Sequence, residues 1–494
     1  MSVIEDVIVN VGWGLYHNLI VAIASASAAS QATAWSTQCF ALPMAFCDMI
    51  LPERSFRNLG AYLYFGIALG SCPLCFFSDI AERKSLFTSS LLVCFVTCLV
   101  AGFAHGTVMI EFCMFCLGSG LTANRIIMKV YLIEHLPFTK RGRYVAITDV
   151  CFGVTLLISA LIASLMTPSV IHQRSFDMRI ITWRLMFGLS GAVSIIIACT
   201  TALLRSSPRH LFFKRDYSEA VSTIKYIYSI NNSKHSQTFD VRPLQLVNAI
   251  SDYNLRFDPY ATTFSEQLFD LTKRIFFSLL LTFRKKFAVN TILAILIRIA
   301  FPLESIHVGL WLVNVIHQNK SMECSITPLN LLYLEGATNE NRCKISLSET
   351  IYFDFVGLIA STVVAYTIVF LLVDRLGRKP LLVVACLLCT GSALILLAKM
   401  VPYWLAILSS IAFMMGYSIA LSVLDIITLE SYPTAIRCTT MVETQMPSKM
   451  CASFCLIFLN ANCRTTLTFT ATSMLVATIL SVFLQELKNQ PMIE

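Results

Sequence analysis

A short polar motif with a glutamate, a proline and an arginine occurs twice in this chain of 494 residues. Its pattern is E-x-x-P-x-x-x-R, and the second copy follows the first by 296 residues at all three positions. The copies consist of Glu134, Pro137 and Arg141, and of Glu430, Pro433 and Arg437. Carboxylate and guanidinium groups form charge-assisted hydrogen bonds, so each copy supplies both partners of an ion pair. Each copy also comes directly after a long apolar run.

A second motif, with an aspartate and an arginine, is duplicated at nearly the same distance. The stretch SDIAERKSLF holds Asp79 and Arg83, and the stretch VDRLGRKPLL, 295 residues later, holds Asp374 and Arg378. Two unrelated motifs with one common offset indicate an internal duplication with both copies in the same orientation, as in parallel-repeat membrane folds. If each motif lies in a loop between two helices, its aspartate can accept hydrogen bonds from a helix N-terminus of the other copy.

Nine ionisable side chains lie inside long apolar runs. They are Arg125, Asp149, Arg298, Glu304, His307, Asp354, Asp425, Glu443 and Lys449. Ionisable groups are costly inside a membrane and usually mark a functional pathway, so we expect about half of them to line a cavity between the two copies. The simpler alternative is that pairs such as Arg125 and Asp149 only neutralise each other.

The composition indicates the environment of these polar residues. Hydrophobic residues make up 56% of the chain and charged residues 13%, and the mean hydropathy is +0.71. A soluble domain is about 45–50% apolar and about 25% charged, so this chain has too few polar residues to cover a soluble fold. We therefore expect an all-α membrane protein, because twelve apolar runs are long enough to span a bilayer. Their approximate bounds are 11–32, 57–77, 86–104, 108–133, 144–166, 183–204, 287–315, 351–373, 380–400, 403–428, 439–460 and 465–485.

The connection at 205–286 separates six runs from six. We expect an N-terminal six-helix bundle at 1–204 and a C-terminal six-helix bundle at 287–494. The connection holds thirteen Lys and Arg residues, and its side of the membrane holds 23 in all, against 8 on the other side. Basic residues concentrate in cytoplasmic loops, which predicts that this loop and both termini are cytosolic. The membrane itself, plasma membrane or intracellular vesicle, stays open. The net charge of +8 then reflects topology and does not indicate nucleic-acid binding.

A second long connection, 316–350, is expected on the extracellular or lumenal side. It carries a glycosylation acceptor pattern at Asn319, and it holds Cys324 and Cys343, which could close a disulfide in an oxidising compartment. A further acceptor pattern at Asn231 lies in the cytosolic connection, where we expect no glycan. Most other cysteines lie in apolar runs, and we expect neither a metal site nor a cofactor.

Several stretches resemble the major facilitator superfamily. The sequence DRLGRK, from Asp374 to Lys379, is similar to the signature loop of that superfamily. The stretches WRLMFGLSGAV, RSSPRHLFFKRDYSEAV and LESYPTAIRCT resemble segments of its organic-ion transporters, the solute carrier family 22-like branch. Two others, FALPMAFCDM and NNSKHSQTFDVRPL, are most similar to insect relatives of synaptic-vesicle glycoprotein 2. The resemblance covers nearly the whole chain.

The resemblance implies a fold and a mechanism. The fold is two parallel six-helix repeats, and the mechanism is secondary transport of a small organic solute, expected to be an ion, by alternating access of a monomer. Arg375 and Arg378 would pair with carboxylates such as Glu430. The residues of a cytosolic gate, where the halves meet when the protein opens outward, would be Asp79, Arg83, Glu134, Arg141, Asp374, Arg375, Gly377, Arg378, Glu430 and Arg437.

Two alternatives stay open at this point. A proton or another ion could be coupled to transport through Asp149, Asp354, Asp425 or His307. The first signature loop also departs from the family pattern, with Ile80 and Glu82 where the family has arginine and glycine. Such a chain could be a binding protein of vesicles or the cell surface that keeps the fold without transporting. The sequence has no nucleotide-binding or hydrolase motif, so we expect neither an ATP-driven pump nor an enzyme.

Overall fold

A computed structural model describes most of the chain, and within the described residues it is nearly all helical. The described ranges are 3–48, 53–137, 140–172, 176–214, 216–232, 264–317, 332–335, 344–347, 349–398, 401–458 and 463–486. The exception to the helical structure is one pair of antiparallel strands, β1 (Leu332–Glu335) and β2 (Lys344–Leu347), in the second long connection.

The described part of the first half contains eight α-helices, and one π-helical turn joins two of them. The helices are α1 (Val3–Val11), α2 (Leu15–Asp48), α3 (Glu53–Phe65), α4 (Cys72–Ile80), α5 (Arg83–Gly102), α6 (Thr107–His135), α7 (Arg141–His172) and α8 (Phe176–Thr200). The π-helical turn Gly66–Gly70 lies between α3 and α4, so that Asn58–Ile80 forms one membrane segment.

The connecting segment and the second half follow the same helical pattern. The segment that the sequence predicts as a cytosolic loop holds three described helices, α9 (Pro208–Phe213), α10 (Tyr217–Asn232) and α11 (Phe264–Thr282). The helices of the second half are α12 (Lys285–Ala300), α13 (Ser305–His317), α14 (Glu349–Leu376), α15 (Arg378–Leu396), α16 (Tyr403–Ser431), α17 (Arg437–Phe458) and α18 (Cys463–Ser481).

Each of the twelve apolar runs coincides with a helix or with two consecutive helices of the structure. Among the described residues, eight segments are long and apolar enough to cross a membrane by length and composition alone. The remaining runs form helices that are more polar or shorter. For example, α2 buries His17, Gln31 and Gln38, and α17 carries Glu443 and Lys449. These polar faces point into the bundle and not toward lipid.

The seventh run is not the single helix that its hydropathy predicts. It breaks between α12 and α13, at residues 301–304, where Pro302 cannot donate a backbone hydrogen bond. Polar groups from neighbouring helices satisfy the freed backbone. The Tyr417 hydroxyl donates to the carbonyl oxygen of Leu303 at 2.7 Å, and the Glu304 backbone N–H donates to the Tyr64 hydroxyl at 3.0 Å. A broken helix is tolerated at membrane depth where such partners exist.

The two halves pack against each other in a repeated way. Helix α7, the fifth membrane segment of the first half, packs against α14, the second of the other half. Helix α17, the fifth membrane segment of the second half, packs against α3, which belongs to the second segment of the first half. The same pair of positions therefore meets twice, as parallel repeats around a pseudo-twofold axis require.

The segment before α2 is fastened to α10. The Asn231 side-chain amide donates to the carbonyl oxygen of Gly12, and its oxygen accepts the backbone N–H of Tyr16, each at 3.0 Å. A Cβ at Gly14 would lie 2.6 Å from the Cα of Asn231, so only glycine fits there. A glycan on Asn231 would break these contacts, because its amide nitrogen is already a donor within the fold.

Helices α3 and α6 approach so closely that two glycines are required. A Cβ at Gly118 would overlap the carbonyl oxygen of Leu63, and a Cβ at Gly66 would overlap the carbonyl oxygen of Phe115. Gly66 begins the π-helical turn, so the change in helical pitch and the close contact occur together. These two helices therefore pack backbone to backbone and leave no room for a side chain between them.

Gly118→Ala is expected to destabilise the protein, by about 1–3 kcal/mol, because the added methyl group meets a backbone atom that cannot rotate away. Gly188→Ala is the matched control, since a Cβ there meets nothing within 4 Å. Thermal unfolding in detergent measures both variants. Equal midpoints for the two would contradict the close packing of α3 on α6.

Candidate functional site

The junctions that carry the duplicated motifs come together at one end of the bundle, here called the motif end. They are α4 to α5, α6 to α7, α14 to α15 and α16 to α17. The eight charged motif residues at this end form two groups of four ion-paired side chains, together called the motif-end cluster here. Its members are Asp79, Arg83, Glu134, Arg141, Asp374, Arg378, Glu430 and Arg437.

Asp79 caps a helix of the opposite half. Its carboxylate accepts the backbone N–H groups of Cys438 at 3.2 Å and Thr439 at 2.8 Å, at the start of α17. The Thr439 hydroxyl also donates to it at 2.8 Å, and Arg83 of its own half pairs with it at 3.2 Å. A carboxylate at a helix N-terminus interacts favourably with the helix dipole, so this contact draws the halves together.

Asp374 makes the equivalent contact in the opposite direction. Its carboxylate accepts the backbone N–H of Arg143 at 3.0 Å, at the start of α7, and pairs with Arg378 at 2.9 Å. A Cβ at Gly142 would lie 2.6 Å from the Asp374 carboxylate, so a glycine at this position lets the two elements meet. The contact surface between the two halves, here called the seam, is therefore crossed twice, each time by an aspartate that caps a helix of the other half.

The two motif glutamates each lie between arginines of both halves. Glu134 contacts Arg83 of its own half and Arg437 of the other half, the latter at 3.4 Å. Glu430 binds Arg378 of its own half through two hydrogen bonds, of 2.9 and 3.0 Å, and accepts from Arg141 of the other half at 2.8 Å. These two glutamates and the four arginines are at most 2% exposed. Loss of one partner would leave a buried charge uncompensated.

Two further residues expected at the gate, Arg375 and Gly377, are not members of the motif-end cluster. Arg375 is exposed. Gly377 has a φ of +105°, which favours glycine, and it precedes α15. Glu486, which follows α18 and caps α15, was not predicted from the sequence. Its carboxylate accepts the backbone N–H groups of Arg378 at 3.1 Å and Lys379 at 2.9 Å.

Helix α9 covers the motif-end cluster on the first-half side. Arg209 donates to the carbonyl oxygen of Glu134 at 3.1 Å. Burial holds the pKa of His210 well below its ordinary value, and the nearby charges of Arg83 and Lys214 act in the same direction. His210 is therefore neutral at physiological pH and adds no charge to the cluster.

A second set of charges, here called the central cluster, lies inside the membrane-spanning region. Its seven members come from both halves. Arg125, Lys129 and Asp149 belong to the first half, and Arg298, Glu304, Asp425 and Lys449 belong to the second. Ion pairs within this cluster therefore also cross the seam.

Asp425 is the most highly paired member of the central cluster. Three cations approach its carboxylate, Arg298 at 2.9 Å, Lys129 at 3.1 Å and Arg125 at 3.4 Å. Asp149 pairs with Lys129 at 2.8 Å, and it accepts the Ser422 hydroxyl at 2.6 Å. Lys129 thus connects carboxylates of both halves while its side chain is only 1% exposed.

Glu304 lies in the break between α12 and α13 and forms the accessible edge of the central cluster. Its carboxylate pairs with Lys449 at 2.7 Å and with Arg125 at 3.4 Å. The side chains of Glu304 and Arg125 keep 16% and 18% exposure, in contrast to the interior members. Beside them, the Tyr64 hydroxyl is 3.2 Å from Nδ1 of His307, so an aromatic wall adjoins the charges.

The structure brings together most of the charged residues selected from the apolar runs, but not all. Arg125, Asp149, Arg298, Glu304, Asp425 and Lys449 meet in the central cluster, and His307 lies next to it. Asp354 lies outside the cluster and accepts the hydroxyl of Tyr403 at 2.8 Å. Glu443 instead lies beside Thr282 of α11. Asn319, Cys324 and Cys343 fall outside the described residues.

Lys129 belongs to the central cluster but was not among the residues predicted from the sequence. It follows Arg125 by four residues, and this spacing places both side chains on one face of α6. The high hydropathy around it hid the signal, although a second cation one turn after Arg125 was visible in the sequence.

Two like-oriented helical halves, with ion pairs across their seam and a charged cluster inside the bilayer, define a polytopic membrane protein of the transporter class. The profile of the Major Facilitator Superfamily matches residues 24–441. The chain belongs to this superfamily, which confirms the family and the twelve-helix fold predicted from the sequence.

Curated relatives and solved structures agree with this assignment. Organic cation/carnitine transporter 7 of Arabidopsis thaliana is 21% identical over 451 residues, 88% of this chain and 83% of the relative. Synaptic vesicle glycoprotein 2B of Rattus norvegicus is 25% identical over 198 residues, 39% of this chain, and the match spans only 28% of that protein.

Among solved structures, the proton:xylose symporter XylE bound to 6-bromo-6-deoxy-D-glucose has a TM-score of 0.66 at 13% identity, over 97% of this chain and 98% of that chain. The human organic anion transporter MFSD10 has a TM-score of 0.58 at 11% identity, over 94% of this chain and 100% of that chain. At these identities the likeness shows the fold alone.

Arg141→Gln is expected to favour separation of the halves at the motif end, because it removes a buried ion pair to Glu430 across the seam. Breaking one partner of a buried pair costs about 3–5 kcal/mol. Cys438 reports the change, since its thiol is 0% exposed and lies 3.1 Å from Ser78 of the other half. Maleimide labelling, quantified by peptide mass spectrometry, should rise at Cys438 in the variant.

Two controls accompany this measurement. Cys199 is exposed in the structure, so its labelling should not change between the wild type and Arg141→Gln. Lys225→Gln, on α10 away from the motif-end cluster, should leave Cys438 protected. Unchanged labelling of Cys438 in Arg141→Gln would show that this ion pair does not hold the motif end closed.

Proposed function

We propose that the chain is a secondary active transporter of small organic ions, with a preference for anions, and that it works by alternating access. The observation that carries the proposal is the central cluster, which places seven charged side chains from both halves at membrane depth. Ionisable residues in such a position typically mark a substrate or ion pathway.

The orientation in this proposal follows the distribution of basic residues. The halves are residues 1–204 and 287–494, and the connection 205–286 lies with both termini in the cytosol. The motif end is then the cytosolic gate, and the connection 316–350 lies on the outer or lumenal side. Ion pairs join the two halves at the motif end in this structure, so the central cluster would communicate with the outer or lumenal side.

The charge of the central cluster supports an anionic substrate. Four cations, Arg125, Lys129, Arg298 and Lys449, face three carboxylates, Asp149, Glu304 and Asp425. The surplus of one positive charge in a low-dielectric region favours a bound anion. The aromatic side chains of Trp35 and Tyr64, which contact His307 and each other, supply an apolar surface for the organic part of the solute.

Three of the four residues that could couple a proton or another ion to transport lie in or beside the central cluster. Asp149, Asp425 and His307 lie in or beside the central cluster, where the protonation of one group changes the charge that the substrate meets. Asp354 lies apart with Tyr403, so we no longer include it among the coupling candidates.

The alternative is a membrane binding protein that keeps the fold without transport. The departures at Ile80 and Glu82 in the first signature loop favour it. Against it, Asp79 and Arg83 both still form hydrogen bonds with the second half. Glu82 also accepts a hydrogen bond from the Ser206 hydroxyl at 2.6 Å. We therefore favour transport. Ile80→Arg with Glu82→Gly should raise the transport rate of a slow transporter and leave a binding protein inactive.

Purified protein in liposomes should take up a radiolabelled organic anion with saturable kinetics. Lys449→Gln makes the central cluster neutral, so it should raise KM for the anion about tenfold, equivalent to about 1.4 kcal/mol. Arg464→Gln is the matched control, because this cation is exposed at the start of α18 and lies outside the cluster.

The uptake panel includes matched organic cations and neutral sugars. Selective uptake of cations would refute the anion preference while leaving transport intact. Absence of flux for every class, from protein shown to be folded and inserted, would support the binding-protein alternative.

A further inference from the structure

Helix α11, just before the second half, presents an apolar face to the outside. Phe276, Phe277, Leu280 and Phe283, at the end of α11 and just after it, are 63%, 51%, 55% and 48% exposed. Their spacing places them along one stripe of the helix. No other described residue covers this stripe.

Over residues 274–282, the opposite face of α11 is largely polar and faces the protein. Arg274, Ser278 and Thr282 are at most 5% exposed, and they share the inner face with Leu281. An amphipathic helix in water buries its apolar side and exposes its polar side. The reversed arrangement here indicates that the outer face of α11 lies against the acyl chains of a membrane.

The outer face of α11 continues directly into the lipid-facing surface of the next helix. A tight turn, in which the N–H of Arg284 donates to the carbonyl oxygen of Leu281 at 3.1 Å, leads from α11 to α12. After the first two residues of α12 the exposed side chains are again large and apolar, with Val289 at 65%, Ile292 at 48% and Leu296 at 45%. The two faces form one apolar surface on both sides of this turn.

Basic residues border this surface at the turn. Lys273 is exposed before the apolar stripe, and Arg284, Lys285 and Lys286 are exposed after it. An apolar helix face with basic residues at its border is typical of helices that lie in a membrane interface and bind anionic lipids. Its charge complements a phospholipid headgroup.

We propose that anionic phospholipid headgroups of the leaflet at the motif end dock on Lys273, Arg284 and Lys285, while the apolar face of α11 lies among the acyl chains. The proposal does not depend on the transported solute. It rests on the exposed stripe, on its continuity with the membrane surface of α12 and on the charges at its border.

The docked helix would also brace the motif end. Leu281 packs with Phe287 of α12 and with Tyr432 and Ile436, which lie between Glu430 and Arg437 of the motif-end cluster. The Thr291 hydroxyl joins the same elements, since it is 3.0 Å from the carbonyl oxygen of Thr282 and 2.8 Å from the Tyr432 hydroxyl. Lipid that holds α11 in place would therefore stabilise the segment that carries Glu430 and Arg437.

The test uses the full chain in phosphatidylcholine nanodiscs with or without phosphatidylserine. Amide hydrogen exchange over residues 272–286 should slow when phosphatidylserine is present. Arg284→Gln with Lys285→Gln should weaken the apparent affinity, taken from the rise of Tm with phosphatidylserine content, by about fivefold per residue, or about 25-fold for the pair.

The control variant removes two charges elsewhere, with Lys225→Gln on α10 and Arg464→Gln at the start of α18. It should respond to phosphatidylserine like the wild type. Equal protection of residues 272–286 in pure phosphatidylcholine would overturn the proposal, and so would an equal response of the two double variants.

Discussion

The fold depends on buried carboxylates that are shared between the two halves. Glu134 and Glu430 each contact one arginine of their own half and one of the other half, all nearly inaccessible to solvent. A buried charge without a partner is strongly destabilising. If the halves separated, each glutamate would keep the arginine of its own half, but Arg141 and Arg437 would lose their carboxylate contacts across the seam. These two cross-seam pairs therefore favour the closed arrangement.

The duplication makes this arrangement possible. Asp79 caps α17 of the second half and Asp374 caps α7 of the first, so each copy of the motif supplies an acceptor to the other. The packing of α7 on α14 and of α17 on α3 follows the same pseudo-twofold relation. Neither motif could make these contacts within a single six-helix unit, which accounts for the repetition of such short polar sequences in an otherwise divergent pair of halves.

Hydropathy and the repeat offset predicted the twelve helices and the residues that share one end. They could not predict the break at Pro302, because the surrounding run stays apolar, nor the π-helical turn beginning at Gly66, which follows from close packing on α6. The central cluster was predicted in part. Charge alone selects residues but not the direction in which a helix face points, so Asp354 was included although it lies apart. Lys129 was overlooked within its apolar run, although its position one turn after Arg125 places it on the same helix face.

The distribution of formal charge between the halves has a consequence for electrical behaviour. In the motif-end cluster each half contributes two carboxylates and two arginines, so each half is neutral there. Moving a neutral group through the membrane field requires no electrical work. The central cluster differs, because Arg125, Lys129 and Asp149 give the first half one net positive charge. Sensitivity to membrane voltage would therefore arise at the central cluster, and a bound monovalent anion would cancel it.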